Sequence, residues 1–456
     1  MDDLRELSGR HPSGSPQPGP GHGVGHALRS ELPLLRGPIH PALHAELLHE
    51  HREGAGPEAR LPGSPSLAGG QDEHRGPDDP RAGRLLRELS RDPGSSEIRG
   101  GVPVGSAAAG HLIPHSRPTV AEDDAQAVAR VVRGGGLAQG PEVAAFERAL
   151  AARLGVEDAA AVASGSAALE LALRGLGIGA GDEVLIPSYV CDALHHAVTR
   201  CGGGPVLVDA DPATFSLSPL DAKRRVTART RAVIVPHAFG LAADLESFVA
   251  LGVPIVEDCA QALGAVVEGR PVGSRGQAAV CSFYATKLLT TGEGGLVAGP
   301  RALVAAARAA RDYDERVDLA PRFNYKLTDL QAALGRSQLA RFDAFLARRR
   351  AIAARYRARL AGLPCRVPAD AGGRHVYHRF VIEIERPVDG VIAALERRGV
   401  AARRPVFRPI HRALGLGDYP EAERLWTRTL SLPCYPTLSD DDVDAVATAL
   451  AAALHQ

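Results

Sequence analysis

The residue whose position most suggests chemistry is Lys287. It follows the apolar, strand-like run 278–284 and precedes the Gly-rich turn 292–295. In open α/β sheets, ligands bind at the carboxyl ends of the strands. Burial there disfavours the charged form of an amine and favours a nucleophilic lysine able to form a Schiff base. Taken alone, the pattern is more typical of a surface lysine with its stem on apolar atoms and its ammonium in water.

A second feature is the turn Ser164-Gly165-Ser166, which joins a short apolar strand to a helix. The free N–H groups and the dipole at a helix N-terminus make a phosphate site there. An ordinary serine N-cap explains the same residues equally well.

A third feature is Asp258, just past the carboxyl end of the apolar run 253–255. A half-buried carboxylate needs a partner, and a pyridinium nitrogen is a suitable one; capping of the next helix is the alternative. Ser282 and Lys287 are spaced so that both could reach the phosphate and the aldehyde carbon of one small aromatic cofactor. Together the three features predict a pyridoxal phosphate (PLP) site.

The elements that must position these residues alternate between strand and helix, which predicts an α/β fold with a mainly parallel sheet. We expect a large PLP-binding α/β domain over 111–350 and a smaller α+β domain over 351–456. Residues 1–110 are rich in Gly, Pro, Ser and Arg, and we expect this low-complexity tail to be mostly disordered. A translation start further downstream would also explain the change in composition near Gly110.

Composition excludes several classes of function. The formal net charge is +0, which argues against nucleic acid or an acidic membrane as partner. No apolar run is long enough to span a bilayer, and the amino terminus lacks a signal-peptide pattern. The six cysteines have neither metal-ligand nor disulfide-framework spacing, so we expect reduced thiols, no metal site and a cytoplasmic location.

From about residue 111 to the C-terminus, a series of segments in matching order resembles the DegT/DnrJ/EryC1/StrS aminotransferase family of fold-type I PLP enzymes. The segments that carry the resemblance are 135–141, 164–169, 181–184, 236–240, 257–261, 282–287, 292–295 and 324–333. This number of ordered matches is specific for the family but not for a substrate.

The resemblance implies a role for each matching residue. Lys287 would hold the cofactor as a Schiff base, and Asp258 would pair with the pyridine nitrogen. Asn324 would reach the phosphate bound by the neighbouring subunit, so that the active unit would be a homodimer with shared sites. The remaining cofactor-binding residues would be Gln261 near the ring hydroxyl, with Ser282, Gly165, Ser166 and Ala167 around the phosphate.

The sequence departs from the family pattern at Cys191, where many members have an aromatic side chain that stacks on the cofactor. Tyr189 is the nearest ring that could substitute for it. Tyr189 is also a candidate substrate-binding residue. Three histidines are further candidates, each with a structural alternative: His237, His378 and His411. Arg403 and Arg404 could hold a donor carboxylate, although a solvated face explains them better.

We therefore predict an aminotransferase that converts a keto group, on a nucleotide-linked sugar or a cyclitol, to an amine. By resemblance, glutamate or glutamine would be the amino donor. One alternative is an enzyme of the same family with a non-sugar acceptor or with dehydratase chemistry, although such dehydratases have His in place of Lys287. The other alternative is a non-catalytic PLP-binding regulatory or scaffold protein.

Overall fold

The computed structural model describes residues 112–368 and 371–455. The predicted tail 1–110 lies outside the described residues. Over the described part of the chain, no helix combines the length and the apolar character needed to cross a membrane.

A seven-stranded sheet forms the centre of the fold, with strand order β1-β9-β8-β5-β4-β2-β3. Strands β3, β2, β4, β5 and β8 are mutually parallel, whereas β9 is antiparallel to both β1 and β8. The prediction of a mainly parallel sheet is therefore confirmed. The strands are β1 Asp158–Val162, β2 Glu183–Pro187, β3 Gly204–Val208, β4 Thr230–Pro236, β5 Ile255–Asp258, β8 Ala278–Ser282 and β9 Gly295–Gly299, with a separate hairpin of β6 Val266–Val267 and β7 Arg270–Pro271.

Helices flank this sheet on its two faces. Helix α2 illustrates why: Val143, Phe146 and Leu150 recur at helical spacing and are buried, Pro141 begins the helix, and Gly155 ends it at φ 69°, a conformation that favours glycine. The helical spacing of the apolar residues in the sequence predicts these same bounds, 141–154. The helices around the sheet are α1 Glu122–Gly134, α2 Pro141–Leu154, α3 Gly165–Gly175, α4 Ala193–Arg200, α5 Pro219–Arg225, α6 Glu246–Val249, α7 Arg301–Arg311 and α8 Asp329–Ala340.

A second core forms around a three-stranded antiparallel sheet of order β10-β11-β12. Tyr356, Phe380 and Leu450 are buried in it. The predicted boundary between domains at residue 350 falls inside the unbroken helix α9, and it stays a prediction. The elements of this part are α9 Phe342–Arg359, β10 Cys365–Arg366, β11 Phe380–Ile384, α10 Val388–Glu396, α11 Ile410–Ala413, α12 Pro420–Arg428, β12 Thr429–Leu432 and α13 Asp440–Leu454.

Glu257, on β5 beside Asp258, is fully buried and anchors the loop that leads into β8. Its Oε1 accepts hydrogen bonds from the amides of Arg275 (2.7 Å) and Gly276 (2.6 Å). Its Oε2 accepts from Gly273 N–H (2.7 Å) and from His237 Nε2–H (3.1 Å). Burial acts to raise the pKa of Glu257, but these hydrogen bonds outweigh it and the net pKa is lowered.

We expect Glu257→Gln to destabilise the fold by about 3 kcal/mol, because an amide cannot accept all four bonds of the carboxylate. The lowered folded pKa means that the carboxylate stabilises the fold above its unfolded pKa of about 4.3. That contribution is lost as the pH falls through the folded value. Urea unfolding at pH 7 and at pH 4 checks this. The difference in free energy of unfolding between wild type and Glu257→Gln should be smaller at pH 4. The exposed Glu268→Gln is the control; an equal loss in both variants would contradict the role of the buried carboxylate.

Candidate active site

The carboxyl ends of five strands meet at one edge of the large sheet. β1 is antiparallel to β9 and β9 to β8, so β1 runs in the same direction as the parallel strands. This edge therefore carries the predicted chemistry: Ser164 and Gly165 after β1, Cys191 after β2, His237 after β4, Asp258 at the end of β5, and Ser282 at the end of β8 with Lys287 beyond it. Open α/β sheets bind their ligands at this edge.

The turn after β1 packs directly against the end of β8. A Cβ built at Gly165 would lie 2.8 Å from Cβ and 3.1 Å from Oγ of Ser282, so only glycine permits this approach. Ser164 Oγ accepts a hydrogen bond from Ala167 N–H (3.1 Å) and caps helix α3. The N-cap explanation is thus right for Ser164. The half-buried hydroxyls of Ser166 and Ser282 remain beside the N-terminus of α3, where an anion is favoured.

Asp258 is 9% exposed at the carboxyl end of β5. Its Oδ1 accepts a hydrogen bond from Ala260 N–H (2.9 Å); within the described residues Oδ2 receives none. Burial raises the pKa of Asp258, and the nearby positive charge of Lys287 opposes the shift. The partly satisfied carboxylate matches a site for a protonated ring nitrogen.

Lys287 is half-buried near Asp258 and Cys191 rather than extended into water. Burial lowers its pKa, Cys191 and Asp258 act in the opposite direction, and the charge of Arg379 adds to the lowering. The structure therefore favours the nucleophilic interpretation over that of a surface lysine. A larger neutral fraction at a given pH is what an attacking amine requires.

Gln261 lies on the cavity wall next to these residues. Its Oε1 accepts a hydrogen bond from the N–H of Phe239 (2.8 Å), which holds the side chain in place. A cavity of about 90 Å³ opens between Gln261, Cys191 and Phe239 on one side and the exposed Phe407 on the other. The fixed amide is thus available to a ring substituent through its Nε2–H₂ group.

Cys191 and Tyr189 have different environments although both line this cavity. The surrounding protein raises the pKa of the accessible Cys191 thiol, and the charge of Lys287 counteracts this. Tyr189 is 3% exposed, hydrogen-bonded to Thr429 Oγ1 (2.6 Å) and packed edge-on against Phe239. Its ring is held in the core, whereas Cys191 lies within electrostatic reach of Lys287 and Asp258.

Two of the three candidate histidines are occupied by structural hydrogen bonds. His237 is 1% exposed; its Nε2–H donates to Glu257, and its Nδ1 accepts from Ala243 N–H (3.0 Å). His411 Nδ1 bonds Ser188 Oγ (2.6 Å), and its Nε2 bonds Glu423 (3.3 Å). The structural alternative is therefore favoured for both residues.

His378 differs from the other two. It is 6% exposed, and its Nδ1 lacks a hydrogen-bond partner among the described residues. Burial lowers its pKa far below the usual value, and the charges of Lys287 and Arg379 add to the effect. His378 is therefore a neutral ring close to Lys287 with a free nitrogen.

Arg379 is a residue of this site that the sequence did not single out. It is half-buried directly before β11, and its backbone N–H donates to Phe239 O (3.2 Å). Its position beside His378 was the available signal, but nothing in a single sequence shows whether an arginine has an acidic partner.

Arg403 and Arg404 lie on the wall of a cavity of about 890 Å³. Arg403 pairs with Glu396 and Arg404 with Asp389 (both 2.6 Å). Asn324 has an exposed side chain and no hydrogen bond to any described residue.

Comparison with known proteins agrees with this geometry. The model of the DegT/DnrJ/EryC1/StrS aminotransferase family matches residues 118–451. Spore coat polysaccharide biosynthesis protein SpsC of Bacillus subtilis is 34% identical over 75% of this chain and 96% of its own length. GDP-perosamine synthase of Caulobacter vibrioides is 36% identical over 67% of this chain and 88% of its own length.

A solved structure of the Streptococcus pneumoniae protein Spr1654 in its PLP-form has the same fold. The TM-score is 0.72 at 26% identity, covering 76% of this chain and 99% of that one. The predicted fold type and cofactor are thereby confirmed. The chain belongs to the DegT/DnrJ/EryC1/StrS aminotransferase family and is a PLP-dependent aminotransferase.

Proposed function

We propose that this aminotransferase converts a keto group of a nucleotide-linked sugar to an amine, with glutamate or glutamine as donor. The observation that carries the proposal is the convergence of Lys287, Asp258 and the Gly165–Ser282 contact at one sheet edge. The sugar acceptor is supported by relatives whose names refer to a polysaccharide and to GDP-perosamine.

The residues present fit the cofactor. Ser166, Ser282 and the amides at the start of α3 would hold its phosphate, and Asp258 would hold its ring nitrogen in the protonated form. Gln261 would lie beside the ring hydroxyl, and Lys287 would form the covalent attachment. When bound, PLP withdraws electrons from the reacting carbon of the substrate.

The chain's own residues account for the remaining chemistry. Displaced from the cofactor by the donor amine, Lys287 is a base whose lowered pKa lets Nζ accept the proton from the donor's α-carbon. The same group can return a proton to the carbon of the keto acceptor in the second half of the reaction. The carboxylate of Asp258 stays ionised when it faces a cation, so the charge of the ring nitrogen is maintained throughout.

The acceptor is tested with purified enzyme, L-glutamate and a panel of keto-sugar nucleotides and keto-cyclitols. We expect 2-oxoglutarate together with an amino product whose mass reports exchange of oxygen for NH₂. A dehydratase would release water from the sugar without consuming glutamate. If the cofactor's visible absorbance falls with glutamate but no keto-sugar restores it, the proposed sugar acceptor is wrong. The reaction with the amino donor would still be supported.

We also propose a cytoplasmic homodimer in which Asn324 reaches the phosphate bound by the partner subunit. The side chain of Asn324 is exposed and makes no hydrogen bond to the residues that the structure describes, which supports this arrangement. The six free thiols support a reducing compartment.

Asn324→Asp should reduce activity strongly, because its carboxylate would repel the cofactor phosphate. The decisive measurement mixes this variant with Lys287→Ala after mild dissociation and reassociation. If Asn324 acts across the interface, one site of each heterodimer carries both defects and the other carries neither. Random pairing then restores about one quarter of wild-type activity, since half the dimers are mixed and half their sites intact. No recovery would place Asn324 in its own subunit's site.

A further inference from the structure

Arg379 lies where two cavities meet. One is the 890 Å³ cavity that also contains His115, Arg403 and Arg408; the other has a volume of about 370 Å³ and includes Phe215 and Phe239. Arg379 is half-buried and lines both cavities. Cavities of this size accommodate small-molecule ligands.

Arg379 lacks an acidic partner among the described residues. Its Nη1 approaches the two ring nitrogens of His115 (3.0 and 3.1 Å) and Ser116 Oγ (3.5 Å). Burial together with Arg379 and Arg403 lowers the pKa of His115 to about 3, so this ring is neutral at physiological pH. No carboxylate in the described part of the chain therefore compensates the positive charge of Arg379.

The other arginines of the same cavity provide a contrast. Arg403, Arg404 and Arg412 each pair with a carboxylate. Arg408 also has no carboxylate partner within residues 112–368 and 371–455, but it is exposed, where water solvates its charge at little cost. Because a half-buried unpaired cation is expensive, Arg379 is the position where an anionic ligand would bring the largest gain.

The surroundings of Arg379 increase this demand for an anion. Burial and the adjacent positive charge of Arg349 lower its pKa to about 10. The charge of Arg379 contributes to the lowered pKa of Lys287, so the guanidinium is close enough to interact electrostatically with the reacting amine. The next residue in the chain, His378, contributes the free Nδ1 described above.

We propose that Arg379, assisted by His378, binds a carboxylate of the amino donor. The inference rests on the proposed aminotransferase function and assigns its donor subsite. An α-amino acid carries its carboxylate one carbon away from the amine that must displace Lys287. A cation close to Lys287 can therefore select amino acids over simple amines and orient the α-hydrogen toward Nζ.

Two small nucleophiles test this without any acceptor. Aminooxyacetate carries a carboxylate and O-methylhydroxylamine carries none; each forms an oxime C=N bond with the cofactor's aldehyde carbon and releases the Lys287 amine, with no redox change. The loss of visible absorbance gives the second-order rate constant for each. We expect Arg379→Gln to lower the preference for aminooxyacetate by about 10- to 100-fold, the effect of losing one charge-assisted hydrogen-bonded pair.

Arg408→Gln is the matched control, because it removes an unpaired arginine from the same cavity but leaves Arg379 in place. Arg379→Lys should restore part of the preference, since it keeps the charge and loses the bidentate fork. Calorimetric titration with glutarate gives a readout independent of turnover: wild type and Arg408→Gln should bind it, and Arg379→Gln should bind at least about 10-fold more weakly.

An unchanged aminooxyacetate preference in folded Arg379→Gln would overturn the proposal, and so would an equal loss in Arg408→Gln. Folding is checked by thermal unfolding, where Arg379→Gln should be at least as stable as wild type because an uncompensated charge is removed. If Arg379→Gln loses the preference for aminooxyacetate but no keto-sugar is aminated, the donor subsite is supported and the proposed sugar acceptor is wrong.

Discussion

Lys287→Ala should reduce transamination by about 10⁴-fold or more, because both the covalent attachment and the proton-transferring base are lost. Single-turnover mixing with L-glutamate, followed by absorbance, measures the effect directly. The chain has only three lysines, at 223, 287 and 326. Borohydride reduction and peptide mass spectrometry therefore assign the cofactor to one of three positions.

Lys223→Ala is the matched control, since Lys223 is exposed on α5. It should retain full activity and the reduced cofactor adduct on Lys287. A wild-type adduct on Lys223 or Lys326, or near-normal turnover by Lys287→Ala, would contradict the assignment. Binding of PLP by Lys287→Ala without the covalent bond is expected, because the phosphate and ring-nitrogen residues remain.

Asp258→Asn should lower the rate by about 10²- to 10³-fold, since a neutral amide no longer stabilises the positive ring nitrogen. The same change should stabilise the cofactor-free protein at neutral pH. Burial raises the folded pKa of Asp258, so the folded state pays for ionising it once the pH exceeds the unfolded value of about 3.9. The amide removes this cost.

Thermal unfolding of cofactor-free wild type and Asp258→Asn at pH 4 and pH 8 measures the second effect. The increase in thermal stability of Asp258→Asn over wild type should be small at pH 4 and larger at pH 8. An advantage independent of pH would show that the carboxylate's charge is not responsible. Asp258→Glu, which keeps the charge but moves it, controls for ionisation and should lose activity without the gain in stability.

The sequence predicted the parts of the site that backbone geometry dictates. An apolar run followed by Asp258 or Lys287 marks a strand end, and parallel strands place such ends at one edge. The pattern of residues 327–360 predicts a long helical stretch with a break near Phe342, and the structure has two separate helices there, α8 and α9. The motif Thr119-Val120-Ala121-Glu122 predicts a capping box that opens a helix ending at Val132. Helix α1 instead runs from Glu122 to Gly134, and Asp124 accepts the hydrogen bond from the Ala121 N–H (3.0 Å).

Side-chain partners were beyond the reach of the sequence. His237, His378 and His411 looked equivalent as candidates. Both ring nitrogens of His237 and His411 have hydrogen-bond partners, whereas Nδ1 of His378 has none among the described residues. The difference depends on Glu257, Ala243 and Ser188, which are distant in the chain or unremarkable in type. The same applies to Arg379. Its importance depends on having no carboxylate partner among the described residues, which the sequence alone does not show.

The hydrogen bonds of Ser188 have a mechanical consequence. Ser188 Oγ bonds His411, and its carbonyl accepts from Ile410 N–H (2.9 Å), all in the buried interior. These two hydrogen bonds connect the loop that carries Cys191 to the segment that carries Phe407 and Arg408. We expect the loop and the segment to move as one rigid body if the cavity opens. A substrate would then enter by displacing the exposed Phe407 ring, and not by a hinge motion between the two segments.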